Sequence, residues 1–363
     1  MNSKPIVIMA GGTGGHVYPA LAVALMLRSK SKDIVWLGTH HGLEARVVSD
    51  VGIDIKKISV RGLRKKGLMA LIFAPLRLIW ALLQSIAVMI RYQPSLVIGM
   101  GGFVSGPGGI AAWLTRKPLF IHEQNAVAGI TNRMLAPFAH VVLEAFPNTF
   151  SSKYNVKTVG NPVRKDITSL PFPKDRYSAR KGRMRLLILG GSQGALTLNI
   201  KIPAAVALID LEQRPIIHHQ CGEKTIREAR KAYKSYNIEG ELSTYIEDMA
   251  SAYAWADLVI CRAGALTVAE LCAVGVPAIF IPYPSAVDDH QTKNAKLMTD
   301  AGAAITIQEN DLTPDLLSNL LLEWLQSRPF LIEKAIKARS LAQLDSLFRI
   351  TDLCLKKLDK NHD

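Results

Sequence analysis

The stretch IVIMAGGTGGHVYPALAVALMLRS, residues 6–29, decides the fold. Residues 6–9 are a short apolar run that fits a strand buried on both faces, and residues 17–29 have the length and apolarity of a packed helix. The glycine-rich turn between them puts unpaired backbone N–H groups and the positive end of a helix dipole on one spot. That is an anion site, usually for phosphate. Outward from it the pattern repeats: residues 34–37, 55–59, 96–98, 119–121 and 141–143 read as buried strands, with helical stretches such as 43–51 and 105–114 between them. Such alternation predicts an α/β fold with a parallel, doubly wound sheet.

Gly160-Asn161-Pro162 and then Leu170-Pro171-Phe172-Pro173 interrupt this order, in a stretch rich in basic residues up to Arg185 that reads as an interdomain linker. Alternation restarts with strands at 186–189, 215–219, 258–261, 278–281 and 304–307. Thr313 fits an N-cap with Pro314 at the first helical position, and the remainder reads as helical. A chain of 363 residues accommodates two such sheets in tandem.

Lysine and arginine number 44 against 30 acidic residues, a net charge of +14, which predicts an anionic partner. Nucleic acid fits poorly: there is no RNP-like motif, zinc finger or isolated basic helix, so no nucleic-acid partner is expected. Cys221, Cys261, Cys272 and Cys354 have no zinc spacing and read as reduced, buried thiols in a cytoplasmic protein. The N-terminus lacks the apolar core of a signal peptide, so secretion is not expected.

The glycine device recurs at 99–106 (GMGGFVSG) and at 190–195 (GGSQGA). A dinucleotide site would show G-x-G-x-x-G and a carboxylate closing the second strand; here the third glycine is absent and that strand ends in Leu37-Gly38-Thr39. No loop has the lysine of a P-loop. Nicotinamide and flavin are therefore disfavoured, and no cofactor is expected. RAGALTVAE, residues 262–270, follows a strand and opens a helix, so the N–H groups of Ala265, Leu266 and Thr267 would face a diphosphate. One turn on, Glu270 either accepts hydrogen bonds from ribose hydroxyls or is an exposed helix carboxylate.

GGTGGH at 11–16, GGFVSGPGG at 101–109, HEQN at 122–125, GNPVR at 160–164, GGSQGA at 190–195 and RAGALTVAE at 262–270 occur in that order along the whole chain. With these motifs the chain closely resembles the MurG family of bacterial glycosyltransferases. The resemblance implies a GT-B fold, two Rossmann-like doubly wound domains facing a cleft. It divides the chain into residues 1–161, joined by a C-terminal helix at about 341–363, on the acceptor and membrane side, and residues 162–340 on the sugar-donor side. It implies transfer of N-acetylglucosamine from UDP-GlcNAc to the C4 hydroxyl of lipid I, undecaprenyl-diphosphoryl-MurNAc-pentapeptide, with inversion, giving lipid II for peptidoglycan. Cell-wall synthesis proteins are further partners it suggests.

Carried over residue by residue, the implied donor site comprises Thr13, Gly14, Gly15 and Asn125, then Arg164, Ser192, Ile246, Ala265, Leu266, Thr267, Val268, Ala269, Glu270 and Gln291. Ile246 would read uracil, Glu270 the ribose, Arg164 and Ser192 the phosphates, and Asn125 and Gln291 the sugar. Gly12, Gly14, Gly102, Ser105 and Gly106 would face the acceptor's diphosphate. No D-x-D motif is present, so no metal is expected and departing UDP would be stabilised by helix N-termini and Arg164. His16 is the most obvious general base by chemistry, with Glu123 and His290 as further candidates.

Residues 68–90, LMALIFAPLRLIWALLQSIAVMI, have the length of a membrane span. Arg77 at their centre and their place between two strands of one sheet argue against crossing. They read either as a buried crossover helix or as a docking surface, in which Leu68, Ile72, Leu76, Ile79 and Trp80 meet lipid beside Arg61, Arg64, Lys65 and Lys66. The family likeness favours docking on the anionic cytoplasmic face of the bacterial inner membrane. A UDP-GlcNAc epimerase and a non-catalytic, membrane-attached UDP-sugar sensor are the rival readings.

Overall fold

A computed structural model describes residues 4–40, 42–60, 74–178, 180–191, 193–284, 289–325 and 327–359. The chain forms two compact units: one holds the sequence up to Pro162 together with the segment from Asp345 on, the other Val163–Leu344.

In the first unit, apolar runs alternate with helices in the order β1 (Ile6–Met9), α1 (Gly14–Ser29), β2 (Ile34–Thr39), α2 (Glu44–Asp50), β3 (Asp54–Ile58), α3 (Ala74–Tyr92), β4 (Leu96–Gly99), α4 (Ser105–Leu114), β5 (Leu119–Glu123), α5 (Ile130–Leu135), β6 (Val141–Glu144) and β7 (Val156–Thr158). The strands make a seven-stranded sheet ordered β3-β2-β1-β4-β5-β6-β7, parallel at every pairing. Every residue of β1, β4 and β5 is buried, which is why these strands are continuous apolar runs without alternation. The order reverses between β1 and β4. At such a switch point the following helices leave on opposite faces and open a crevice at the carboxyl ends of the strands.

The second unit repeats the plan: α6 (Lys165–Thr168), α7 (Pro173–Ser178), β8 (Arg185–Leu189), α8 (Leu196–Ala207), β9 (Ile216–Gln220), α9 (Ile226–Ser235), β10 (Glu241–Ser243), α10 (Met249–Trp255), β11 (Leu258–Cys261), α11 (Ala265–Val274), β12 (Ala278–Phe280), α12 (His290–Asp300), β13 (Ala304–Thr306), α13 (Pro314–Leu325) and α14 (Arg328–Ser340). Its six strands are ordered β10-β9-β8-β11-β12-β13, with the reversal between β8 and β11. Thr313 caps α13, its Oγ1 accepting from the Leu316 amide at 3.1 Å. The last helix, α15 (Ser346–Asp359), packs Ile350, Cys354 and Leu358 into the core of the first unit beside Val17, Ala24 and Leu27 of α1.

Two expectations change. Strands β7 and β10 are additional. The stretch up to Arg185 is not a loose linker: from Val163 on it belongs to the second unit and covers one end of its sheet. Tyr177 is buried and donates its hydroxyl to the Asp257 carbonyl at 2.9 Å, while Arg180 stacks over the Tyr177 ring and pairs with the fully buried Asp257 carboxylate. The other Asp257 oxygen accepts from the Arg185 amide at 2.9 Å, fixing the start of β8. Asp257→Ala strands Arg180, whose side chain is only 6% exposed, without its counter-charge. The expected loss is about 3–5 kcal/mol of stability, read as a fall in Tm in a thermal melt.

Candidate functional site

The motifs follow strands on either side of the two switch points. In the first unit, β1 and β4 pair with Met9 opposite Gly99, and the Met100 amide continues the ladder to the Met9 carbonyl at 2.8 Å. Two glycine turns are thereby pressed together. A Cβ on Gly102 would lie 2.1 Å from the Gly11 oxygen, and one on Gly101 would lie 2.4 Å from Nδ1 of His16. Both glycines have left-handed backbones, with φ of 82° and 94°. Helix α1 begins at Gly14, so Gly14, Gly15 and His16 are its first turn, with Thr13 at the N-cap. The Gly14 and Gly15 amides precede the first intrahelical bonds, whereas the His16 amide already donates to the Thr13 carbonyl at 3.1 Å.

Two of the residues expected at an acceptor diphosphate are otherwise engaged. Ser105 is fully buried and donates its hydroxyl to the Gly101 carbonyl at 2.9 Å, so it braces the second glycine turn from behind. The Gly12 amide donates at 3.2 Å to Oε2 of Glu44, a buried carboxylate that also accepts from the Thr39 amide and hydroxyl. An internal carboxylate thus already occupies one amide of this glycine turn. Gly106 lies in α4 against Thr131 of α5.

His16 is half-buried, and its Nδ1 lies 3.1 Å from Oε1 of Gln124. Glu123 is 3% exposed and accepts four hydrogen bonds, from the amide and Nδ2 of Asn125, the Gly129 amide and Nδ2 of Asn132. With both oxygens so engaged, Glu123 shapes the 123–132 loop and places Asn125. Of the two residues, Glu123 is the one whose carboxylate is committed to internal donors. His122 is buried, its pKa pushed down to about 4 chiefly by loss of hydration, and its Nε2 lies 3.0 Å from the Gly160 carbonyl. It is a neutral structural histidine that ties GNPVR to HEQN.

In the second unit the third glycine turn is equally tight. A Cβ on Gly194 would meet Oγ1 of Thr225 at 2.0 Å, and one on Gly222 would meet the Gly194 amide at 2.1 Å. Ser192, within this turn, lies outside the described residues, as do Arg61, Arg64, Lys65, Lys66, Leu68 and Ile72. Across the switch point, Gly264 caps α11, so Ala265, Leu266 and Thr267 form its first turn and Val268, Ala269 and Glu270 follow. Tyr253 of α10 donates its hydroxyl to Oε2 of Glu270 at 2.9 Å. Arg164 is exposed, and its charge acts on both Glu270 and Asp248. Ile246 is buried in the β10–α10 connection, ahead of Asp248, which caps α10. Gln291 is in the first turn of α12, its Oε1 accepting from the Tyr283 amide at 2.9 Å; His290 precedes it. Arg262 holds the Ile281 and Pro282 carbonyls and pairs with Glu309, setting the chain path after β12.

A cavity of about 850 Å³ in this unit runs from Ile246 and Trp255 to Arg183 and Arg214 at the starting ends of β8 and β9, away from the motifs. Sequence reading gave no role to Glu44, Gln124, Asn132 or Tyr253. Gln124 carried a signal, since it lies inside HEQN. Glu44 and Tyr253 carried none, because each acts on a partner distant in sequence.

Residues 6–144 match the glycosyltransferase family 28 N-terminal domain and residues 185–348 its C-terminal domain. The UDP-N-acetylglucosamine--N-acetylmuramyl-(pentapeptide) pyrophosphoryl-undecaprenol N-acetylglucosamine transferase of Alkalilimnicola ehrlichii is 51% identical over 355 residues, 98% of this chain and 99% of that one. The enzyme of the same name from Marinobacter nauticus is 49% identical over 97% of each chain. The crystal structure of Acinetobacter baumannii MurG superposes with a TM-score of 0.84 at 42% identity, covering 97% of this chain and 99% of that one. The chain belongs to the MurG family. Its two parallel-sheet units are those of a GT-B glycosyltransferase, as the sequence predicts.

Burial raises the Glu270 pKa from 4.5 to about 7, with Tyr253 and Arg164 opposing that shift. A carboxylate whose pKa is higher folded than unfolded opposes folding once ionised. Its contribution therefore falls as pH rises from about 4.5 to 7, the span between the two values. Glu270→Gln is expected to flatten this slope, on the order of 3 kcal/mol, in urea unfolding followed against pH.

Proposed function

We infer that this chain transfers N-acetylglucosamine from UDP-GlcNAc to lipid I, giving lipid II for peptidoglycan. The observation that carries this reading is its likeness, 51% over 355 residues and nearly the full length of both chains, to a transferase of that name. Relatives named as transferases do not favour an epimerase or a non-catalytic sensor.

The site residues support the following chemistry. Nε2 of His16 takes the proton of the acceptor's C4 hydroxyl as that oxygen attacks the anomeric carbon. The bond from that carbon to the UDP oxygen breaks, UDP leaves with the electron pair, and the configuration inverts. The amides of Gly14 and Gly15, at the positive end of α1, suit the acceptor's diphosphate. In the second unit, the first turn of α11 and the exposed Arg164 suit UDP, and Glu270, held by Tyr253, suits the ribose hydroxyls. Charge stabilisation of UDP by these groups, worth about 3 kcal/mol for each well-placed donor, makes the reaction independent of a metal. The test is UDP release from UDP-GlcNAc with and without a short-chain lipid I analogue, repeated in EDTA. Acceptor-dependent release that persists in EDTA is expected; release without dependence on acceptor contradicts transfer.

Helix α3 is long and apolar enough to cross a bilayer, yet it connects β3 and β4 of one parallel sheet, a connection that stays on one side of a membrane. Its inner face is Ala81, Ser85 and Met89, while Leu76, Ile79, Trp80, Leu83 and Ile90 are each more than half exposed. Such an apolar stripe, with Arg77 and Arg91 on the same helix, suits peripheral docking on an anionic bilayer, at the cytoplasmic face of the inner membrane where lipid I is used. Substituting Ile79, Trp80 and Leu83 with Ser is expected to lower partitioning onto phosphatidylglycerol vesicles at least about tenfold, by the apolar area lost. Unchanged co-sedimentation contradicts docking by this face.

A further inference from the structure

Gln124 is 2% exposed and bonded through its side chain at both ends. Its Nε2 donates to the Met100 carbonyl at 2.8 Å, and its Oε1 faces Nδ1 of His16 at 3.1 Å. The two ends of an amide are chemically distinct. A carbonyl can only accept, so the Met100 oxygen selects the NH₂ end, and the oxygen end is left for the histidine. An amide oxygen can only accept, so Nδ1 of His16 must carry a proton. In a neutral imidazole this leaves the lone pair on Nε2.

We propose that Gln124 is a positioning residue that holds His16 as the Nδ1–H tautomer, reserving Nε2 to take the acceptor proton. The assignment rests on His16 being the base. Gln124 supplies the orientation that a carboxylate supplies to histidine in other hydrolytic and transfer enzymes, without adding a negative charge that would raise the basicity of the ring. The surroundings keep it in place. Asn161 donates to its main-chain carbonyl at 3.0 Å, and Met100 is tied by its own amide to Met9. Because the Gln124 side chain is anchored to the second glycine turn, the tautomer of the base is coupled to the shape of that turn. Among the described residues, the ionisable groups on the neighbouring elements include His122, buried and neutral, and the carboxylates Glu123 and Glu44, each engaged by backbone and side-chain donors.

The test is ¹⁵N NMR of histidine-labelled protein, with His16 assigned by loss of its signals in His16→Gln. The expected result is a protonated Nδ1 and an unprotonated Nε2 at pH values above the ring's titration; an Nε2–H tautomer in the unsubstituted protein overturns the proposal. Gln124→Leu is expected to yield a mixture of tautomers and a fall in kcat of about a hundredfold or more, with KM for UDP-GlcNAc within twofold of its starting value. An unchanged Nδ1–H tautomer in that variant also overturns it. Full turnover by His16→Gln removes the base reading, while the tautomer measurement judges the Gln124 assignment separately.

Discussion

The contact between the Gly102 backbone and the Gly11 carbonyl is the constraint on which the first unit's chemistry depends. No side chain fits there, since a Cβ would lie 2.1 Å from the oxygen. The parallel register of β1 and β4 imposes this approach, because it ends both strands at the same level and sends both turns into one crevice. Once the turns are in contact, His16 must lie over Gly101, Ser105 must brace the turn from behind, and Gln124 can reach both Met100 and His16. Glu44 adds an electrostatic counterpart. Its buried carboxylate accepts from the Gly12 amide and so fixes the shape of the turn from inside the unit.

The second unit solves the same problem with different residues. Gly194 and Gly222 meet as Gly102 and Gly11 do, and Asn199 ties the two segments by donating to the Cys221 carbonyl and to Thr225. On the other side of the switch point, burial favours the protonated form of Glu270, and the Tyr253 hydroxyl and the Arg164 charge oppose that shift.

The central strands were legible because strands buried on both faces are short apolar runs, and the glycine turns because they sit directly at the ends of those runs. Strands β7 and β10 escaped notice for the opposite reason: Val-Lys-Thr and Glu-Leu-Ser are three-residue edge strands, and none of their residues is fully buried. Proline and basic residues disguised the start of the second unit. Arg180 looks like a solvated charge in sequence, and only its partner Asp257, 77 residues on, makes it a buried one. The starts of α1 and α11, directly after a strand and its glycine, were readable from local sequence. The 108-residue separation of His16 and Gln124, and the 32 residues between Gly12 and Glu44, put the orienting contacts beyond any local pattern. Ser105 was misjudged because a serine in a glycine turn signals phosphate only when its hydroxyl points outward.

The proposed chemistry is one displacement, with a histidine base acting on the acceptor and no covalent link between sugar and protein. The configuration of the new glycosidic bond, determined by NMR on the disaccharide product made from α-linked UDP-GlcNAc, tests that most directly. A β linkage, with no sugar retained on the protein when turnover is quenched, is the predicted result. An α linkage or a glycosylated side chain would contradict it.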